Sequence, residues 1–288
     1  MTPRSLALPR GRSLDLDGRA VVMGIVNATP DSFYAGSRVS DVAAAVDAVA
    51  SMLEAGASVI DVGGESTRPG SEYVGADEEI SRVVPVIEAV RARWDVAISV
   101  DTRKAAVAAA ALDAGADIVN DVAALMDDPA LAPLCGSRGV PVVLMHKKGV
   151  PAHMQDSPWY VDCVGEVLDF LLSAADRAVA AGVARDRIVV DPGIGFGKRL
   201  EDNLALLSRL DEIAEPGYPV LVGLSRKSFI GAVSGAGPDA RLPGSLAAAC
   251  AARARGATIF RVHDVAETVQ ALAVFDAAAG RPILPSAG

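Results

Sequence analysis

The stretch AISVDTRKAAVAAAALDAGADIVN, residues 97–120, holds two short apolar runs, Ala97 to Asp101 and Asp117 to Asn120, with an Ala-rich segment between them. Both runs are largely apolar on both faces, the mark of strands buried in a parallel sheet rather than strands that show every second residue to water. Lys104 to Asp113 reads as the helix that returns the chain, and an Ala-Gly-Ala ending delivers it to the next strand. This β-α-β unit ends its strands on polar side chains, Asp101 and Asn120.

The same grammar extends in both directions. Apolar runs at Val21–Val26, Ser58–Asp61, near Pro141, at Ile188–Asp191, Val220–Ser225 and Thr258–Arg261 read as strands. Helical segments fall at Asp41–Glu54, Glu78–Arg93, Ala130–Leu134, Tyr160–Ala181, Glu201–Leu210, Leu242–Arg255 and Val265–Ala279. About eight βα units is the number that closes a TIM (β/α)8 barrel. A doubly wound open sheet is the alternative. Closure predicts that Asp61, Asp101, Asn120, Asp191, Lys227 and Arg261, each at or just beyond a strand end, gather on one face.

No Pro/Ser/Gly-rich linker or charge run divides the 288 residues, so one domain over 1–288 is expected, with its core at about 20–282. A hydrophobic fraction of 51%, with 22% charged residues, supplies ample core. No run nears the roughly 18 apolar residues of a membrane helix, and a cytoplasmic location is expected. Cys135, Cys163 and Cys250 are odd in number and far apart, which suits reduced thiols. The three histidines have no metal-ligand spacing. A net charge of -9 argues against nucleic acid as a partner. It leaves room for a small anionic substrate, because screening over about 8 Å lets local Arg and Lys set the field of a cleft.

Several loops carry chemistry, each with a plainer reading beside it. Asn27-Ala-Thr-Pro-Asp-Ser-Phe33 follows the first strand and suits either a structured turn or a binding loop. Gly63-Gly-Glu-Ser-Thr-Arg-Pro-Gly70 has glycines at both ends and suits a closing loop. Asp101 and Asp191, taken singly, are also common as helix caps or ion-pair partners. Together with Asn120 on one face they would be costly to desolvate without a pairing ligand, and a planar molecule with several N–H donors would satisfy them. Ser225-Arg-Lys-Ser228 and Arg261-Val-His263 place cations at the last two strands, where barrels often bind phosphate; a solvated basic face is the other reading.

In order along the chain, Asn27-x-Thr-Pro-Asp-Ser-Phe33, Asp61-Val-Gly-Gly-Glu-Ser-Thr-Arg-Pro-Gly70, Ser99-Val-Asp-Thr102, Leu144-Met-His146, Asp191-Pro-Gly-Ile-Gly-Phe-Gly-Lys198, Ser225-Arg-Lys-Ser228 and Arg261-Val-His-Asp-Val265 resemble the dihydropteroate synthases, from about Met23 to the last helix. Any one motif is weak, but seven in order are specific. The resemblance implies a TIM barrel that condenses 6-hydroxymethyl-7,8-dihydropterin diphosphate with p-aminobenzoate, releasing pyrophosphate and forming 7,8-dihydropteroate for folate synthesis.

Carried over residue by residue, it makes Asp101, Asn120, Asp191 and Lys227 the frame of the pterin, with Arg261 stacked over its ring. Asn27, Arg261 and His263 would hold the diphosphate, with Mg²⁺ bound to its oxygens and to Asn27 through few protein ligands. Phe33, Thr67, Arg68, Pro69 and Phe196 would form the p-aminobenzoate pocket, and Ser228 would receive its carboxylate. Asp31, Arg68, Lys227 and Arg261 are the catalytic candidates, Asp31 by stabilising a cation formed when pyrophosphate departs first; Asp61 has a supporting part beneath the loops. A homodimer and a sulfonamide target are also implied.

Two departures from the family pattern stand out. Tyr34-Ala35-Gly36-Ser37 replaces a Ser-Asp-Gly-Gly-like continuation, and Lys147-Lys148 follows His146, with loop solvation the favoured reading of the lysines. Two other functions share the barrel. A non-catalytic paralogue has no need for Asp31, Arg68 and Ser225-Arg-Lys-Ser228 together, and a pterin-binding methyltransferase has no need for the Thr67-Arg-Pro69 loop.

Overall fold

In the computed structural model, which describes residues 5–28, 38–66, 73–149 and 158–281, eight parallel strands close into a barrel. A hairpin of β1 (Ser5–Ala7) and β2 (Ser13–Asp15) precedes it. The barrel strands are β3 (Val21–Asn27), β4 (Val59–Gly63), β5 (Ala97–Asp101), β6 (Ile118–Asp121), β7 (Val142–Met145), β8 (Ile188–Asp191), β9 (Val220–Val222) and β10 (Ala257–Val262), and β10 pairs back onto β3. Closure decides against the open sheet.

The outer ring comprises α1 (Arg38–Glu54), α2 (Ala76–Arg91), α3 (Ala105–Ala114), α4 (Leu131–Arg138), α5 (Cys163–Ala180), α6 (Leu200–Ser208), α7 (Leu210–Ala214), α8 (Ser228–Ser234), α9 (Leu242–Ala254) and α10 (Val265–Ala278). The helix expected over Glu201–Leu210 is broken at Arg209, which leaves helical geometry (φ -120°, ψ 29°) and pairs with Asp162 at 3.0 Å and Glu212 at 2.7 Å. The apolar strand expected to run to Ser225 ends at Val222, and α8 is an added short helix.

Side chains alternate across each strand. Met23, Val59, Ala97, Ile118, Val143, Val189, Leu221 and Ile259 share the inner cluster, while their neighbours Ile60, Ile98, Val119, Val142 and Val190 pack under the helices. The inner cluster also takes in Leu6, Leu8, Leu14 and Leu16, so the hairpin plugs the barrel floor. Arg10 and Arg12 from the hairpin, and Arg91 of α2 at 2.7 Å, converge on the fully buried Asp117, which also accepts the backbone N–H of Ile98. The three cysteines are free thiols. Among the described residues no helix is long and apolar enough to cross a membrane.

Candidate active site

Two residues up from the floor on each strand, the period-2 alternation that carries Val59, Ala97, Ile118, Val189 and Ile259 inward brings Asp61, Ser99, Asn120, Asp191 and Arg261 inward as well, and Asp101 two further on. Arg261 spans the barrel: Nε donates to Asp61 Oδ2 at 2.6 Å and Nη2 to Asp101 Oδ2 at 2.8 Å. Asn120 Nδ2 faces both oxygens of Asp61, at 3.3 and 3.4 Å. Asp61 is buried inside the barrel, where it holds Arg261 and Asn120 in place. The guanidinium reaches down between the carboxylates, where the family pattern predicts a stack above a ring.

Burial is the main cause of the shifted ionisation here. It pushes the Asp101 carboxyl up to about 7, with Arg261 pulling the other way and Asp61 adding to the rise. Burial alone would lower Arg261, but Asp61 and Asp101 outweigh it and raise it. The guanidinium is thus charged throughout, and what titrates near neutrality is the carboxylate frame. Asp191 is pushed up to about 6 by burial, against the Gly193 N–H that donates to it at 2.7 Å and the nearby Lys227.

Lys227 stands at the N-cap position of α8, and its Nζ lies 4.0 Å from the centre of the Phe196 ring. Burial lowers it to about 8, with Asp191 opposing. Arg226, in left-handed geometry at φ 58°, faces the other way and pairs with Asp264 at 3.0 Å, so this one turn sends one cation inward and the other to the surface. His263 Nδ1 lies 3.1 Å from Ser225 Oγ.

Ile25, Val122, Met145 and Ile194 complete the lining with apolar surface, and Gly193 and Gly223 leave room. An apolar cleft bordered by Asp101, Asn120, Asp191 and Lys227 suits a heterocycle with polar edges. This apolar half was missed in the sequence; strand alternation carries a signal for Ile25 and Met145, but none for Val122, which follows a strand end.

The match to known proteins agrees with this geometry. A family model described as pterin binding enzyme covers residues 23–263. The dihydropteroate synthase of Escherichia coli K12 is 47% identical over 268 residues, 93% of this chain and 94% of that protein. The chain belongs to the dihydropteroate synthase family. Another dihydropteroate synthase, from Neisseria meningitidis serogroup C, is 49% identical over 260 residues, 89% of this chain and 92% of the relative. The Xanthomonas albilineans dihydropteroate synthase with 4-aminobenzoic acid superposes with a TM-score of 0.90 at 46% identity, covering 98% of this chain and 100% of that one. The Yersinia pestis dihydropteroate synthase in a sulfonamide drug complex gives 0.90 at 45%, covering 96% and 99%.

Of the residues the dihydropteroate synthase pattern singles out, Asp101, Asn120, Asp191, Phe196, Lys227, Arg261 and His263 line one cleft. Asn27 ends β3, half-buried, in register with Gly63, and Ser228 is exposed at the first position of α8. Asp31, Phe33, Thr67, Arg68 and Pro69 lie outside the described residues, as do Tyr34, Ala35, Gly36 and Ser37. Lys147 and Lys148 do not merely solvate a loop. Lys147 pairs with Asp127 at 2.9 Å, Asp127 pairs with Arg103, and Arg103 with Glu65 at 2.8 Å, a chain of charges around the rim. Lys148 Nζ lies 4.1 Å from the centre of the Tyr160 ring. Long-range pairs of this kind leave no local trace in sequence.

Proposed function

We propose that this chain is a working dihydropteroate synthase, joining 6-hydroxymethyl-7,8-dihydropterin diphosphate to p-aminobenzoate with loss of pyrophosphate. The observation that carries the reading is the convergence of Asp101, Asn120, Asp191 and Lys227 on one cleft, partly apolar, at the carboxyl ends of the strands. Asp101 and Asp191 accept from pterin N–H groups, while Asn120 both donates and accepts, as an asymmetric heterocycle edge requires. Each such contact discriminates by about 1 to 3 kcal/mol when its loss strands a buried partner.

Ring binding takes Asp101 from Arg261, whose freed N–H donors then serve the diphosphate beside Asn27 and His263. The dihydropterin ring stabilises positive charge on its methylene carbon, so pyrophosphate leaves first and the arylamine nitrogen attacks second; Asp31 and Arg261 stabilise the two developing charges. Asn27 offers a hard carboxamide oxygen at the strand end, which fits Mg²⁺, a cation that keeps most of its water and phosphate ligands. When bound, Mg²⁺ offsets charge on the leaving group. The family pattern assigns Phe33, Thr67, Arg68, Pro69 and Phe196 to the arylamine and Ser228 to its carboxylate, and sulfonamides compete for that site. The reading also makes the protein cytoplasmic and a homodimer, and light scattering on the purified chain tests the dimer.

The deciding experiment mixes the protein with Mg²⁺, the pterin diphosphate and p-aminobenzoate and follows pyrophosphate. Release that depends on the arylamine is expected. Pterin binding without release would sink the synthase reading in favour of a non-catalytic paralogue.

A further inference from the structure

Lys198 follows the turn that leaves β8, and its side chain folds back beneath that turn, 3% exposed. Nζ donates to Gly193 O at 2.9 Å and to Phe196 O at 3.1 Å, and lies 2.9 Å from His146 Nδ1 and 3.4 Å from His146 O. A buried ammonium ordinarily answers a carboxylate; this one answers carbonyls at the two ends of a single turn. Its three N–H donors match its three closest partners, so His146 Nδ1 acts as the acceptor and the ring proton is assigned to Nε2. Burial, then Lys198, lowers the imidazole to about 3, which keeps that lone pair available.

The turn presents Phe196 to the cleft, over Lys227. Its other ties include the Phe196 N–H to Gly193 O at 3.1 Å, the Gly195 N–H to Asn203 Oδ1 at 2.7 Å, and the Tyr160 hydroxyl, which donates to Gly197 O at 2.7 Å. The Asp191 backbone is fixed by the strand, paired with Met145, and its carboxylate takes from the turn only the Gly193 N–H at 2.7 Å, at the end of the turn away from Phe196. Loosening the turn therefore moves Phe196 more than it moves the pterin carboxylate.

We propose that Lys198 is a positioning residue for the second substrate, locking the 193–197 turn so that Phe196 forms a rigid wall of the arylamine pocket. The inference rests on the assignment of Phe196 to that pocket made above. The titratable groups that face Lys198 are His146 of the β7 end, Cys163 of α5, Asp191 of β8, Asp202 of α6 and Lys227 at the start of α8. Burial pulls the ammonium down to about 7, so it gives up a donor as pH rises through neutrality, and the wall loosens.

The test is steady-state pyrophosphate release by wild type, Lys198→Met and Tyr160→Phe, with pterin diphosphate affinity measured separately by calorimetry. Lys198→Met is expected to raise KM for p-aminobenzoate about tenfold while pterin affinity stays within about threefold. Wild-type KM for the arylamine rises from about pH 6 to about pH 8.5, and that slope is lost in Lys198→Met. Tyr160→Phe, which leaves the ammonium in place, gives the same selective effect at about two- to fivefold, and it carries the test if Lys198→Met does not fold. An unchanged arylamine KM in a folded variant, or pterin affinity falling in step with it, overturns the proposal. A wild-type protein that binds both substrates but releases nothing overturns the catalytic reading instead.

Discussion

Asp61 is completely buried, yet it accepts from both Arg261 and Asn120, so its charge organises two groups that face the substrate. Asp61→Ala strands those donors; a stability loss of about 3 kcal/mol is expected from urea unfolding, with pterin affinity down at least about tenfold by calorimetry. Little or no change in affinity would show that Arg261 and Asn120 hold their places without it. The frame's own protons make a second prediction. With Asp101 at about 7 and Asp191 at about 6, falling pH protonates both and removes the acceptors the pterin needs. Pterin diphosphate affinity should therefore drop on the order of ten- to a hundredfold between about pH 7.5 and about pH 5.5. It should also weaken on the alkaline side as Lys227, lowered to about 8, loses its charge. A titration flat across that range would mean that the carboxylates are not the pterin's partners.

At the scale of elements, the strands and most helices were legible because burial on both faces and Ala-rich returns are local properties: Ala97–Asp101 and Ile188–Asp191 have the expected bounds. The hairpin and the break at Arg209 were not, because each depends on distant contacts: leucines packed into the floor, or a guanidinium reaching Asp162; α8 was not foreseen either. The candidate site divides in the same way. Its charged strand ends stand out in sequence, but the downward reach of Arg261 and the cage around Lys198 exist only once the barrel closes. The Gly-rich turn after β8 shows how tight that closure is. Gly193 has φ 67°, and a Cβ there would lie 1.9 Å from the carbonyl oxygen of His146. Gly193→Ala is expected to cost more than about 2 kcal/mol, read by urea unfolding, because both the left-handed backbone and the contact with His146, just after β7, oppose it. A stability within about 0.5 kcal/mol of wild type would mean that the turn yields freely.

Over the whole molecule, the barrel separates stability from chemistry along its axis. Polar strand ends occupy the mouth, while the floor is sealed by Leu6, Leu8, Leu14 and Leu16 and pinned by Arg10 and Arg12 on Asp117. These residues lie at the amino ends of the strands, where a barrel carries stability rather than catalysis. Leu6 is fully buried, so Leu6→Ala removes packed surface and leaves a cavity, a loss of about 3 kcal/mol. Set against a total of about 5 to 15 kcal/mol for a folded protein, that is a large fraction. The urea midpoint should fall accordingly, while the folded variant keeps KM for both substrates within about twofold, because none of the residues lining the cleft belongs to the floor cluster. Pyrophosphate kinetics below the unfolding transition check this. A matching loss of substrate affinity in the folded variant would show that floor and mouth are coupled through the barrel interior, where Ser99 and Asp61 stand between them.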